Sequence, residues 1–117
     1  MTNKIIDKQT AEHYSWGNNC DSWVLADTEN LSIKQESMPS STREKLHFHN
    51  DAQQFFFVLK GAATFYLEND KIIVSEQKGI LIHPKMKHFI ANETNKRLDF
   101  LVISQPTTTH DRITIEK

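Results

Sequence analysis

Two histidines one residue apart, His47 and His49, open the stretch Leu46 to Gly61, LHFHNDAQQFFFVLKG. Strand side chains alternate with period two, so the two imidazoles share one face of a sheet and make half of a metal site. Metal binding needs several donors converging at about 2 Å, and neutral imidazole nitrogen and carbonyl or carboxylate oxygen are the usual ones outside thiolate sites. Gln54 begins the next strand after a short connection and, folded back, offers its amide oxygen to the same point. Gln53 is the register alternative and faces the other way if strand geometry holds through Gln54. Asp51 is a further oxygen donor, placed in a turn where solvent exposure is expected. His88 follows Pro84, opens a strand beside Phe89 and is the candidate for the fourth donor. His83 reads as structural, with a place on a cavity wall as its alternative. His13 and His110 lie in polar terminal segments and read as solvated. Cys20 has no His–Asp arrangement at a defined spacing beside it and reads as inert.

The elements that must position these residues read as short strands. Residues 1–22 form a polar arm of weak structure, with a helical turn expected from Thr10 and stopped by Gly17-Asn18-Asn19. Trp16 and Trp23 flank that stop, and each is expected to pack on the barrel wall or on a partner chain. Trp23 to Leu25 is a strand, and Leu31, Ile33 and Gln35 alternate with Ser32, Lys34 and Glu36 as a half-buried one. Met38 to Thr42 reads as a loop and Lys45 to His49 as a strand. Phe55 to Leu59 is continuously apolar, the mark of a strand covered on both sides. Strands follow at Ala62 to Glu68, Lys71 to Val74, Ile80 to Ile82, His88 to Asn92, Leu98 to Ser104 and Ile113 to Ile115, with Asn69-Asp70 as a tight turn. Some eight to ten short strands without a long helical period predict an all-β sandwich or barrel.

At 117 residues the chain reads as a single domain, 1–117. The net charge of −1 gives no basic field for nucleic acid or an acidic membrane surface, and neither is expected as a partner. A single cysteine allows no internal disulfide. The first residues lack an apolar signal core and no run reaches spanning length, so a cytoplasmic protein is expected.

His47-x-His49, Gln54 and Gly61 together resemble the first motif of the cupin superfamily, His-x-His, a short spacer, Glu, then Gly, with Gln54 where Glu is usual. Residues 80–92 resemble the second motif, whose closing His-x-x-x-Asn falls on His88 and Asn92. The interior departs: Gly79 is off the expected spacing, the glycine of Pro-x-Gly is missing, and Pro84 lies one residue too near His88. The resemblance runs from about Leu31 to Pro106. It implies a double-stranded β-helix, or jelly-roll, barrel of two antiparallel sheets over about 31–106, carrying a short N-terminal extension. It also implies a divalent metal (Zn, Ni, Mn, Fe or Cu) held by His47, His49, Gln54 and His88. Small cupins commonly pair, so a homodimer is expected.

Glutamine in place of glutamate leaves four neutral donors around a dication in a low-dielectric interior, where uncompensated charge is costly. Lower metal affinity, a balancing anion and a more acidic bound water follow. A metal-free barrel is the alternative. The functions expected are a metal-dependent enzyme on a small molecule, dioxygenase-like or sugar isomerase-like, or a non-catalytic small-molecule or sugar-binding module, or a structural dimer with a vestigial site. The absence of a recognisable general base beyond the ligands weighs against isomerisation.

Overall fold

A computed structural model describes residues 5–116; residues 1–4 of the expected arm and Lys117 lie outside the described range. The described residues form twelve strands: β1 (Glu12–Trp16), β2 (Cys20–Asp27), β3 (Ser32–Met38), β4 (Thr42–Arg43), β5 (His47–His49), β6 (Gln53–Lys60), β7 (Ala63–Leu67), β8 (Asp70–Val74), β9 (Gly79–Ile82), β10 (His88–Asn92), β11 (Leu98–Gln105) and β12 (Arg112–Thr114). They form two antiparallel sheets, β1-β2-β3-β11-β6-β9 and β12-β5-β10-β7-β8, with β4 on β10. This is the double-stranded β-helix that the motifs implied. Among the described residues no helix is long and apolar enough to cross a membrane.

The sheets close on a core in which Phe65, Phe100, Met38, Ile90, Leu98 and Val58 are all fully buried. Burying an aromatic or aliphatic side chain of this size contributes about 1.5–3 kcal/mol. Gly61 ends β6 at a φ of 88°, and a Cβ there would stand 2.8 Å from the Arg97 carbonyl oxygen, so glycine is needed for the turn.

Several local expectations are corrected. The helical turn at Thr10 is absent. Asp7 Oδ1 instead accepts the N–H groups of Gln9 and Thr10, and Glu12 onward pairs with β2 in a hairpin turned by Gly17-Asn18-Asn19. The segment has no apolar helical face to bury, whereas β pairing satisfies its backbone. The extension is therefore the edge of the first sheet. Met38 is not in a loop but ends β3, fully buried.

The faces of β3 are inverted. Ser32, Lys34 and Glu36 stand opposite Ser104, Val102 and Phe100 of β11, which are buried. Residues directly opposite in an antiparallel pair share a face, so the polar set looks into the barrel and Leu31 is exposed. The same logic corrects β6. Gln54, Phe56 and Val58 point inward, while Phe55 is 37% exposed beside Phe57 on the outer face. That strand is covered on one side only.

Candidate metal centre

His47 and His49 lie on the short strand β5, and His88 opens β10 directly opposite His47. All three are buried, and one nitrogen from each lies within 4.8 Å of the others. The His47 and His88 ring centroids are 4.4 Å apart. His47 Nδ1–H donates to the Lys45 carbonyl at 2.7 Å and His88 Nδ1–H to the Met86 carbonyl at 2.8 Å. Those bonds fix the tautomer and leave each Nε2 as an acceptor, the form a metal ligand takes. Burial pushes His47 down to about 3, helped by the charge of Arg112. Burial also lowers His49 to about 4, with His88 next in effect, and lowers His88 itself. All three are neutral imidazoles at neutral pH.

Gln54 stands opposite Ser104 across β6–β11 and is 8% exposed. Its Nε2 donates to Ser104 Oγ at 3.1 Å, which leaves Oε1 as the free end of the amide. Gln54 Oε1, His88 Nε2 and His49 Nδ1 are buried atoms without a hydrogen-bond partner. Buried polar atoms are rarely left in that state, and a cluster of lone-pair donors without protons to meet them fits a cation. The donor set thus suits a divalent ion. Gln53 faces outward and bonds Gln105, Asp51 is exposed, and His83 is exposed and away from the cluster. His13 is exposed but not merely solvated, since its Nε2 is 2.9 Å from Asp21 Oδ1.

The irregular second motif has a local explanation. The turn before β10 places Lys85 at a φ of 68°, the left-handed conformation for which a Pro-x-Gly glycine is suited. Lys85 N–H donates to the His49 carbonyl at 2.6 Å, tying the two histidine strands together. Asn92, the closing residue of that motif, is fully buried and its amide bonds Met38, Thr94 and Lys96, which closes the turn into β11.

The carboxy-terminal segment braces the other side. Asp111 accepts the backbone N–H groups of Asn50, Asp51 and Ala52, pinning the turn that follows His49. Then β12 pairs with β5, setting Arg112 opposite His49.

A cavity of about 670 Å³ opens on His47, His49 and Gln54, within the size range of small-molecule sites. The β1–β2 hairpin contributes Tyr14, Trp16 and Asn18 to its wall, and Phe56, Val102 and Ser104 line it from the first sheet. The sequence showed no clear general base beyond the ligands, and two carboxyls it did not single out, Glu36 and Glu44, also line the cavity. Burial raises the Glu44 carboxyl to about 7 against the pull of Arg112, with Glu36 adding to the rise. Burial likewise raises Glu36. Sequence reading missed both because one comes from β3 and the other from the β4–β5 connection, with no motif spacing to the histidines. The available signal was the polar face of β3. Cys20 is fully buried and burial raises its thiol, so it is not an activated nucleophile.

A family model described as Cupin domain matches residues 34–104, and this chain belongs to that family. An uncharacterized protein of Methanocaldococcus jannaschii is 30% identical over 80 residues, covering 68% of this chain and 64% of that protein, so the chain spans under two thirds of its length. A sugar phosphate isomerase of the cupin superfamily from Silicibacter pomeroyi has a similar fold, with a TM-score of 0.77 at 16% identity over 89% of this chain and 76% of its own. The polyketide cyclase RemF of Streptomyces resistomycificus gives a TM-score of 0.79 at 14% identity, covering 99% of this chain and 87% of its own. At such identities the likeness is one of fold.

Proposed function

We propose that this chain, acting as a single unit over 1–117, is a metal-dependent cupin that takes a small oxygenated molecule into its cavity and transforms it. The observation that carries the reading is the convergence of three buried, neutral histidines on one point, in a cavity that Gln54, with its unpartnered Oε1, also lines. His47, His49, His88 and Gln54 would hold the ion. A divalent ion bound there supplies Lewis acidity to an oxygen of the ligand. The chain's own contribution is placement. The Lys45 and Met86 carbonyls aim two imidazoles, Ser104 aims the amide, and Phe56 and Val102 give the cavity a dry side. Four neutral protein donors leave the ion's charge uncancelled, which favours an anionic ligand. The neighbouring isomerase and cyclase support a redox-neutral transformation over a purely structural barrel.

The test is metal analysis of untagged protein by mass spectrometry. One divalent ion per chain is expected, and His88→Ala is expected to abolish it while the circular dichroism stays that of a β protein. Failure of metal to copurify or load would leave the second reading, a metal-free binding module, which the missing glutamate favours.

A homodimer belongs to the same proposal. The outer face of the first sheet carries Phe55, 37% exposed, and Leu81, 43% exposed, an apolar surface that a second copy would cover. Sedimentation as a monomer at micromolar concentration would remove it.

A further inference from the structure

Two carboxyls on the cavity wall have no part in holding a metal. Glu44 lies on the segment between β4 and β5, and only 12% of its side chain is exposed. Its Oε1 accepts the Ile90 N–H at 3.1 Å. Its Oε2 stands 3.7 Å from Arg112 Nη1, beyond hydrogen-bond range and within that of a loose ion pair. Arg112 is opposite His49 across β5–β12, so the guanidinium emerges on the face that carries the histidine. It is 42% exposed and lines the cavity with Glu44. One carboxyl oxygen is thus tied to the backbone. The other is left for whatever occupies the cavity, with a half-exposed cation beside it.

A purely structural acceptor for the Ile90 N–H needs one oxygen and no charge. A free second oxygen, in a cavity shared with His47 and His49, is the arrangement of a group that meets a ligand. The charged groups that also line the cavity are Glu36 and Lys34 from β3, Arg43 from β4 and Lys45, the next residue along the chain from Glu44. Arg43 is occupied by Glu116, Lys34 Nζ donates to Tyr14 at 2.9 Å, and Arg112 is the cation whose charged group stands within ion-pair distance of the Glu44 carboxyl. A guanidinium suits the paired oxygens of a carboxylate or phosphate.

We propose that Glu44 is a proton-transfer residue of this cavity and that Arg112 anchors an anionic group of the substrate, which makes the substrate a small hydroxy- or keto-compound bearing a carboxylate or phosphate. This deepens, and rests on, the reading of the cavity as a metal-dependent site. In the simplest step, a C–H bond next to the substrate carbonyl breaks, its proton goes to Glu44 Oε2, and the electron pair moves onto the carbonyl oxygen as an enolate. Return of the proton to the same carbon completes an exchange; in an α-hydroxycarbonyl substrate its return to the former carbonyl carbon, with the hydroxyl proton passing to the enolate oxygen, completes a tautomerisation, and no oxidant or reductant is needed. A carboxyl raised to about 7 by burial divides between acid and base near neutral pH, as both halves of the step require.

The experiment uses full-length protein with and without Zn²⁺, and the probes pyruvate, dihydroxyacetone phosphate and uncharged dihydroxyacetone. Binding is read by NMR shifts of the backbone amide signals, which Arg112→Gln retains, and chemistry by loss of probe C–H signals in D₂O. Expected are binding of at least one anionic probe and not of dihydroxyacetone, a tenfold or greater weakening in Arg112→Gln, and probe exchange faster than buffer in the Zn²⁺-loaded wild type. Glu44→Gln, which keeps an acceptor for Ile90, is expected to retain zinc and anion binding and to lose exchange by a hundredfold or more. Equal anion binding by wild type and Arg112→Gln overturns the anchor. Exchange unchanged in Glu44→Gln, or no exchange of any anionic probe by zinc-loaded wild type, overturns the proton transfer. If no zinc binds, the metal reading fails, while anion binding at Arg112 is still read on the metal-free protein.

Discussion

Gln54 Nε2 donates to Ser104 Oγ at 3.1 Å, and this bond turns the amide so that its oxygen is the unpartnered end. The position is thereby set as a neutral donor. Gln54→Glu adds a negative charge among neutral ligands and is expected to raise metal affinity at least tenfold. Ser104→Ala frees the amide to rotate and is expected to lower affinity about 10- to 100-fold, the usual range for a residue that orients a ligand. Competition titrations with a chelating dye read both. Equal affinities for wild type, Gln54→Glu and Ser104→Ala would remove Gln54 from the ligand set.

Asp111 reaches the histidine strand through backbone rather than side chain. Its carboxylate meets three successive N–H groups at 50–52. Asp111→Ala strands those donors and is expected to cost about 2–4 kcal/mol, since bonds to a charged acceptor contribute about 1.5–3 kcal/mol each and water replaces part of them. Asp111→Asn should recover a fraction of the loss, because an amide oxygen still accepts but carries no charge. Urea midpoints of the metal-free proteins measure the order.

Lys85 holds a left-handed backbone that costs a side-chain-bearing residue about 1–2 kcal/mol. Lys85→Gly removes that cost and adds some chain entropy, for a net gain of about 0.5–1 kcal/mol. The side chain is exposed, so little else changes. A midpoint below that of wild type would show that the turn gains nothing from glycine.

The pH dependence of the metal-free protein follows from opposed shifts. His47 and His49 are held to about 3 and about 4, and His88 is also lowered, against about 6.5 in the unfolded chain. Below 6.5 the unfolded chain binds more protons, so stability falls with falling pH through that window. Glu44 has the opposite sign: raised from 4.5 to about 7, it keeps its proton longer in the folded state and stability falls as pH rises across that interval. Glu36 acts in the same sense. With three histidines against two carboxyls, stability is expected to climb from about pH 4 to a maximum near 6.5 and then to slip slightly up to 7. Glu44→Gln should flatten the slip. Denaturation midpoints across pH 4–8 decide it, and a rise on acidification below 6 would contradict it.

How much of this was legible in the chain depends on where each residue's neighbours come from. His47 and His49 share a face by period two alone, and His88, Gln54, Gly61 and Asn92 sit at motif spacings, so these were readable. Alternation also located β3, yet its faces were assigned by placing Leu31 and Ile33 inside. The barrel reverses this because β11 sets Ser104 and Val102 against Ser32 and Lys34, at the polar end of the interior. Glu44, Arg112 and Asp111 were not readable. They reach the site from the β4–β5 connection and from the segment of β12, more than sixty residues apart, and only pairing with β5 and β10 brings them together. The Phe55 to Leu59 run misled because a strand with an apolar outer face has the same composition as one covered on both sides.

Trp16 sits on the cavity wall with its indole N–H buried and unpartnered, whereas Trp23 lies outside it, against the tilted ring of His13 and under the Lys8 ammonium. These are the only two tryptophans in the chain. The molecule therefore carries its own optical probe of occupancy: one emitter whose colour and intensity change when a ligand displaces water beside it, and a second that serves as an internal standard.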